Sequence, residues 1–182
     1  MTTATMTTTK WGLDKSHSEI QFKAKHMMIT NVTGGFKDYD ATIETEGDDF
    51  STTQIRFTAA TASVSTGSDQ RDGHLKAEDF FNAEKYPQLT FVSTNVTKTG
   101  DGKFILTGDM TIRDVTKPIK LDVLFEGKVI DPWGNTKYGF TLNGKLSRKE
   151  FGLTWNVITE AGGILVSDDV KIEASVQIAK AG

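Results

Sequence analysis

The sequence contains no cysteine among its 182 residues, which excludes disulfide bonds, a thiolate nucleophile and cysteine-based metal or iron–sulfur sites. It also lacks a long run of charge of one sign. Its 21 basic and 24 acidic residues give a formal charge of -3 and are spread along the chain, so no electrostatic footprint for nucleic acid is visible. No stretch approaches the roughly 20 apolar residues of a membrane-spanning helix, and we expect no integral membrane segment.

Motifs of catalysis and cofactor binding are missing as well. The sequence has no nucleophile elbow, phosphate-binding glycine loop or dinucleotide fingerprint. Its three histidines, His17, His26 and His74, match no local metal-binding spacing. We therefore expect no catalytic residue, no cofactor and no metal.

The N-terminal segment is rich in threonine and lacks the charged start and apolar stretch of a secretory signal. We expect residues 1–10 to form a flexible N-terminal tail and residues 11–182 to form one domain. We therefore expect a cytoplasmic location. A periplasmic location is the alternative if the native N-terminus differs from the one in this sequence.

What the sequence does contain is apolar alternation with a period of two, which places every second side chain on one face of a strand. In the first segment, Ile20, Phe22 and Ala24 alternate with polar residues. Such patterns, together with β-branched and aromatic content, predict eight strands, at 19–25, 38–44, 54–59, 89–98, 104–113, 119–129, 137–146 and 170–178. Turn signals at 99–102, 116–118 and 131–134 favour hairpin connections.

One segment, 69–86, mixes charged and apolar residues at no strand period. It predicts one or two short helices, capped by Asp69 and Asp79, that cross an end of the β structure. These helices would carry Leu75, Phe80 and Phe81 inward.

Eight strands with one apolar face can pack as two sheets or close into an antiparallel barrel, and closure removes every exposed edge. A closed barrel of about eight strands is either filled by side chains or holds one small ligand. Small residues on the inner face, such as Gly108, Gly144 and Ala174, either leave room for a ligand or accommodate neighbouring rings. The pattern alone leaves both possibilities open.

Several short motifs, taken together in order and spacing, carry a family resemblance from Trp11 to about Lys180. The first are Leu13-Asp14 with His17-Ser18, Lys25-His26 before Val32-Thr33-Gly34-Gly35-Phe36, and Asn82-Ala83-Glu84-Lys85-Tyr86-Pro87 with Phe91. The others are Gly108-Asp109-Met110-Thr111-Ile112, Val115-Thr116-Lys117-Pro118 and Ser147-Arg148-Lys149-Glu150-Phe151-Gly152-Leu153. In these motifs the chain resembles the YceI-like family of bacterial lipid-binding proteins, also described as polyisoprenoid-binding.

The resemblance implies an all-β fold, a single extended eight-stranded antiparallel lipocalin-like β-barrel. Its tunnel would bind a long-chain isoprenoid or fatty-acid-like ligand, without catalysis, for transport, storage or sequestration. Homodimers also occur among proteins of this kind, whereas the export signal of many members is not seen here. The alternatives are an enzyme that modifies a lipid-like substrate and a packed barrel that acts as an interaction or stress protein.

We expect the tunnel to be lined by Ile20, Phe22, His26, Met28, Phe36, Ile43, Ile55, Phe57, Leu75, Phe80, Phe81, Phe91, Leu106, Met110, Ile112, Leu121, Val123, Phe140, Leu142, Leu146 and Trp155. Strand parity also points Arg148 and Glu150 inward. His26 and Arg148 are the candidates for contacting a polar head group. The structural alternatives are a histidine satisfied by the backbone, and an Arg148–carboxylate pair that ties a loop across the barrel end.

Overall fold

The computed structural model describes residues 7–27, 29–156 and 166–181. Met28, one of the predicted tunnel residues, lies outside the described residues. The described part of the chain contains eleven strands and one α-helix: β1 (Thr8–Leu13), β2 (Glu19–His26), β3 (Thr30–Phe36), β4 (Tyr39–Glu46), β5 (Asp49–Ala60), β6 (Val64–Ser65), α1 (Asp69–Lys76), β7 (Gln88–Gly100), β8 (Lys103–Ile112), β9 (Val115–Ile130), β10 (Thr136–Ser147) and β11 (Val166–Lys180). Thr8, Thr9 and Lys10 of the predicted tail therefore lie in a strand.

The strands form one antiparallel sheet that closes on itself. Around the ring the order is β1, β4, β5, β7, β8, β9, β10 and β11, and β11 pairs with β1 again. The three remaining strands lengthen this ring, because β2 pairs with β11 beyond β1, β3 pairs with β2, and β6 pairs with β3. The expected fold class, a closed eight-stranded antiparallel barrel with a short helix, is thereby confirmed.

The break between β1 and β2, residues 14–18, is stabilised by hydrogen bonds around Asp14. Its carboxylate accepts from Ser16 Oγ at 2.7 Å and lies 2.9 Å from His17 Nδ1. These hydrogen bonds from Ser16 and His17, with the nearby charges of His17 and Lys137, hold the pKa of Asp14 well below its usual range. The Asp14 backbone amide donates to the carbonyl of Gln177 at 2.8 Å, which keeps the break in contact with β11.

The helix α1 lies beside the end of the barrel at which β5 and β8 finish. Ser68 caps it, since its hydroxyl accepts from the Arg71 amide at 3.3 Å. The predicted cap at Asp69 is therefore wrong by one residue, and Asp79 instead lies 3.1 Å from His74 Nε2. No helix in the described part of the chain has the length and apolar character needed to cross a membrane.

The inner face of the barrel forms two clusters of apolar side chains. The helix-end core contains the buried residues Ala59, Val64, Phe81, Leu89, Phe91, Leu106, Ile112, Ile119, Leu121, Phe151 and Leu153. The hairpin-end core contains Trp11, Ile43, Tyr138, Phe140 and Ile178, with partly buried residues such as Phe50 and Phe125 packed against them. The rings of Trp11 and Tyr138 meet edge to face with centroids 4.9 Å apart.

β-Bulges change which side chains point inward. In β9 the register with β10 shifts between Gly139 and Phe140, so one extra residue reverses the alternation that follows. Val129, which the alternation places on the apolar face, is consequently 61% exposed. The prediction that Val129 faces the core was wrong, because alternation read from the sequence assumes that no bulge interrupts the strand.

Candidate functional site

The barrel encloses an apolar cavity of about 180 Å³ between the two cores. It is lined by Leu13, Ile20, Ala41, Ile43, Phe50, Thr53, Ile55, Phe57, Phe91, Val96, Phe104, Leu106, Met110, Leu121, Val123, Phe140, Leu142, Ile172, Ala174, Val176 and Ile178. Among these described residues, Thr53 has the one polar side chain. Such a surface favours hydrocarbon over water, because a water molecule needs several polar partners.

The small residues on the inner face of the barrel determine where the cavity is open and where neighbouring side chains fill it. Ala41 and Ala174 line the cavity and leave it open. A Cβ atom on Gly108 would lie 2.4 Å from Cζ of Phe91, and one on Gly144 would lie 2.3 Å from Cδ2 of Leu121. These glycines therefore accommodate large neighbours, as a filled core requires, whereas the alanines leave room for a ligand.

The cavity brings together eleven of the residues predicted to line a tunnel: Ile20, Ile43, Ile55, Phe57, Phe91, Leu106, Met110, Leu121, Val123, Phe140 and Leu142. Their contact with a ligand stays a prediction.

Nine of the predicted residues lie outside the cavity: Phe22, His26, Phe36, Leu75, Phe80, Phe81, Ile112, Leu146 and Trp155. Six of them belong to the helix-end core or pack against it: Phe22, Phe36, Leu75, Phe81, Ile112 and Leu146. Phe80 and Trp155 pack around His74, with ring centroids 5.0 and 4.7 Å from that of the imidazole. The space therefore occupies part of the barrel length, because side chains fill the end near α1.

Ten lining residues are absent from the predicted set: Leu13, Ala41, Phe50, Thr53, Val96, Phe104, Ile172, Ala174, Val176 and Ile178. The alternation itself contains the signal for most of those in β4, β8 and β11. Phe50, Thr53 and Val96 carry no such signal, since they lie in or just after bulges that interrupt the period of two.

Arg148 is 3% exposed, and its guanidinium donates to four backbone carbonyls. The acceptors are Ser167 at 2.9 Å, Leu153 at 2.7 Å, Trp155 at 2.8 Å and Val166 at 3.2 Å. Burial lowers the pKa of Arg148, and the charge of Asp168 partly offsets this effect. Arg148 thus joins the segment after β10 to the start of β11 through carbonyl groups, where the sequence suggested a carboxylate pair.

The backbone around Arg148 is not the continuous strand that the sequence predicts. β10 ends at Ser147, and Arg148–Phe151 form a 3₁₀ helix. Strand parity therefore does not continue, and Glu150 is exposed, so the prediction that it points inward was wrong. The carboxylate of Asp168 accepts from Ser147 Oγ at 2.7 Å and from the Lys149 amide at 3.0 Å.

The histidines lie apart from one another and from the cavity. His26 is half-buried at the last residue of β2, paired with Thr30. His17 and His74 each contact one carboxylate, of Asp14 and Asp79. Across residues 7–27, 29–156 and 166–181, no three histidine or carboxylate side chains come together in a way that could hold a metal ion.

Comparison with known proteins places this barrel among proteins of the same architecture. A UPF0312 protein of Staphylococcus aureus (strain bovine RF122 / ET3-1) is 34% identical over 170 residues, which cover 93% of this chain and 96% of the relative. The crystal structure of the Campylobacter jejuni YCEI protein is 37% identical, with a TM-score of 0.75 over 93% of this chain and 97% of that one.

A polyisoprenoid binding domain from Saccharophagus degradans shares the fold at 13% identity, with a TM-score of 0.62 over 94% of this chain and 98% of that one. The family model described as YceI-like domain matches residues 11–178. The chain therefore belongs to the YceI-like domain family, as its motifs indicated.

Proposed function

We propose that the protein binds a long-chain isoprenoid-type amphiphile inside the barrel and releases it unmodified, as a carrier, store or sequestering protein. The observation that carries this proposal is the cavity of about 180 Å³, whose lining is hydrocarbon apart from Thr53. Each methylene buried there contributes about 0.8 kcal/mol, so a chain of several carbons binds without specific polar contacts. The fold shared with a polyisoprenoid binding domain is in keeping with this ligand class.

The size of the cavity sets a condition on this proposal. An apolar cavity of about 150 Å³ stays dry and admits a benzene-sized molecule, so the present space accepts a chain segment of comparable bulk. A longer chain requires side chains at its boundary to move. Phe50, Phe57, Phe104 and Met110 line the space and are only partly buried, which makes them the side chains best suited to give way.

A non-catalytic role is supported by the chemistry of the lining. Among the described residues, none that lines the cavity has an acidic, basic or thiol side chain, and general acid–base catalysis needs such a group beside the reacting atom. A fatty-acid-like ligand would contact the same apolar lining. The lining therefore specifies the hydrocarbon chain of the ligand better than its head group.

The proposal is tested by extracting purified protein with organic solvent and identifying released lipid by mass spectrometry. Delipidated protein is then incubated with geranylgeraniol and with a longer polyprenol. We expect a stoichiometric chain lipid in the extract or stoichiometric uptake of an added polyprenol, recovered unchanged. Absence of both would contradict lipid binding, and a chemically altered polyprenol would contradict the non-catalytic role. Native mass spectra of the same samples test the predicted homodimer.

A further inference from the structure

The barrel wall has a side opening between β5 and β7. The two strands pair from Arg56 with Val92 to Ala60 with Gln88, and the pairing ends there. In the described structure, no register pairs the earlier part of β5 with the later part of β7. At the fork, where the two strands separate, the Ile55 amide donates to the hydroxyl of Ser93 at 2.8 Å. A side chain therefore replaces a backbone carbonyl as the acceptor across the two strands.

Two bulges face each other across this opening. On β5, four residues, 50–53, stand opposite Thr45 alone, because the register moves from Glu44–Gln54 to Glu46–Asp49. On β7, Thr94 is the extra residue, because Ser93 pairs with Gly108 and Asn95 pairs with Thr107. Bulges bend a strand and increase its twist. Two of them at one level on neighbouring strands account for the separation of β5 from β7.

The opening leads from the outer surface to the apolar cavity. A polar cleft over the gap is lined by Thr42, Glu44, Ser51, Thr52, Thr53, Gln54, Ile55, Arg56, Val92, Ser93, Thr94, Asn95 and Val96. Three of these residues, Thr53, Ile55 and Val96, also line the cavity. The cleft and the cavity are therefore adjacent, and these three side chains form part of the wall between them.

The polar groups at the fork favour a particular kind of ligand end. The Thr53 hydroxyl donates its proton to the carbonyl of Phe50, which leaves its oxygen as an acceptor. The Ser93 oxygen accepts from Ile55, and among the described residues its own proton has no acceptor. An alcohol both donates and accepts, so it can bond to Thr53 and Ser93 together.

The charges around the cleft agree with an uncharged ligand end. Glu44 and Arg56 are the charged residues among those that line it, one of each sign. Recognition of a phosphate or pyrophosphate uses several cationic donors, and the cleft offers a single arginine.

The geometry points to the gap between β5 and β7 as the portal through which the chain enters, with an alcohol end group held there by Thr53 and Ser93. This inference rests on the proposed function and adds the route and the head-group class. The apolar chain lies in the cavity, and the hydroxyl stays at the polar cleft. An isoprenoid alcohol is thus preferred over an ester or an acid of the same chain.

Retinol is a suitable probe, since it is an isoprenoid alcohol with intrinsic fluorescence. The native chain has no cysteine, so a pair of cysteines can be introduced cleanly. In the double variant Gln54→Cys/Asn95→Cys, joined by a short bifunctional maleimide across the gap, we expect retinol uptake to slow at least tenfold. The matched control is Thr58→Cys/Thr90→Cys, joined in the same way, because these residues are register partners in the closed section of the same two strands.

The head-group preference is tested by comparing retinol with retinyl acetate. In Thr53→Val, which keeps the shape and removes the acceptor, the affinity ratio of retinol to retinyl acetate should fall about three- to tenfold. Equal rates in the two bridged proteins would overturn the portal, and an unchanged ratio would overturn the head-group assignment. In either case, retention of retinol binding by the unmodified protein would leave the proposed function standing. Failure of the unmodified protein to bind retinol or any polyprenol would overturn both.

Discussion

Replacing Ala174 with leucine should raise stability and abolish ligand binding at the same time. Ala174 is 9% exposed and its methyl group faces the cavity. Leucine adds three carbon atoms to this space, and each buried carbon contributes about 0.8 kcal/mol, so the gain is about 2 kcal/mol in the ligand-free protein. For a domain of this size, that corresponds to an increase in Tm of roughly 4–8 °C.

The assay measures thermal unfolding and retinol binding on delipidated protein. Ala59→Leu is the matched control, because Ala59 also faces inward but is 1% exposed within the helix-end core. Overpacking of a filled core costs about 1–3 kcal/mol, so this variant should melt at lower temperature. If both leucine variants lose stability to the same degree, or if Ala174→Leu binds retinol as the native protein does, no usable space exists beside Ala174.

Three further predictions concern the framework of the barrel. Arg148→Met should destabilise the protein by about 3–5 kcal/mol, because it strips several buried carbonyls of their donor, while retinol affinity of the folded protein stays unchanged; a loss of affinity without a loss in denaturant midpoint would restore its head-group role. Gly108→Ala should cost about 1–3 kcal/mol in urea unfolding, since its Cβ would lie 2.6 Å from the carbonyl oxygen of Val92. Gly139→Ala is its control, with the nearest atom at 3.7 Å, and equal effects of the two would contradict the packing argument. The pKa of Asp14 is depressed in the folded state, so its carboxylate stabilises the protein above the unfolded pKa of about 4 and loses that effect as pH falls. Asp14→Asn should therefore lower Tm at pH 7, and the difference from the native protein should shrink at lower pH; a difference that does not change with pH would count against the charged hydrogen bonds.

The sequence predicts most of the strands because each long strand has one face in water and one in the core, which leaves a period-two signal, whereas the closure into a barrel was implied by the family resemblance. Strand β3 escaped prediction since its inner face includes Gly34, whose Cβ would lie 2.6 Å from Cζ of Phe22. The ring of Phe22 thus occupies the space that an apolar side chain at position 34 would fill, and the period-two alternation is lost from the sequence of β3. β6 has two residues, too few for any periodicity.

The candidate site was predicted in part for a related reason. Alternation identifies inward-facing residues but not their depth, so residues of the cavity and of the helix-end core look alike. The split between Phe57, which lines the cavity, and Phe36, which does not, depends on tertiary packing. The bulges at 50–53 and at Thr94 arise from a register between strands, which a single strand pattern does not contain.

The ring is completed by three residue pairs, Trp11 with Lys180, Gly12 with Ala179 and Leu13 with Ile178. β1 and β11, the first and the last strand of the described residues, meet there, and such distant pairing makes folding slow. During synthesis β11 leaves the ribosome after the other described strands, so until it emerges the growing chain exposes the sheet edges of β1, β2 and β10 that it pairs with, together with the apolar inner surface. This is the stage at which the protein is most prone to aggregate, and at which a chaperone or an early-bound lipid has the greatest effect on its yield.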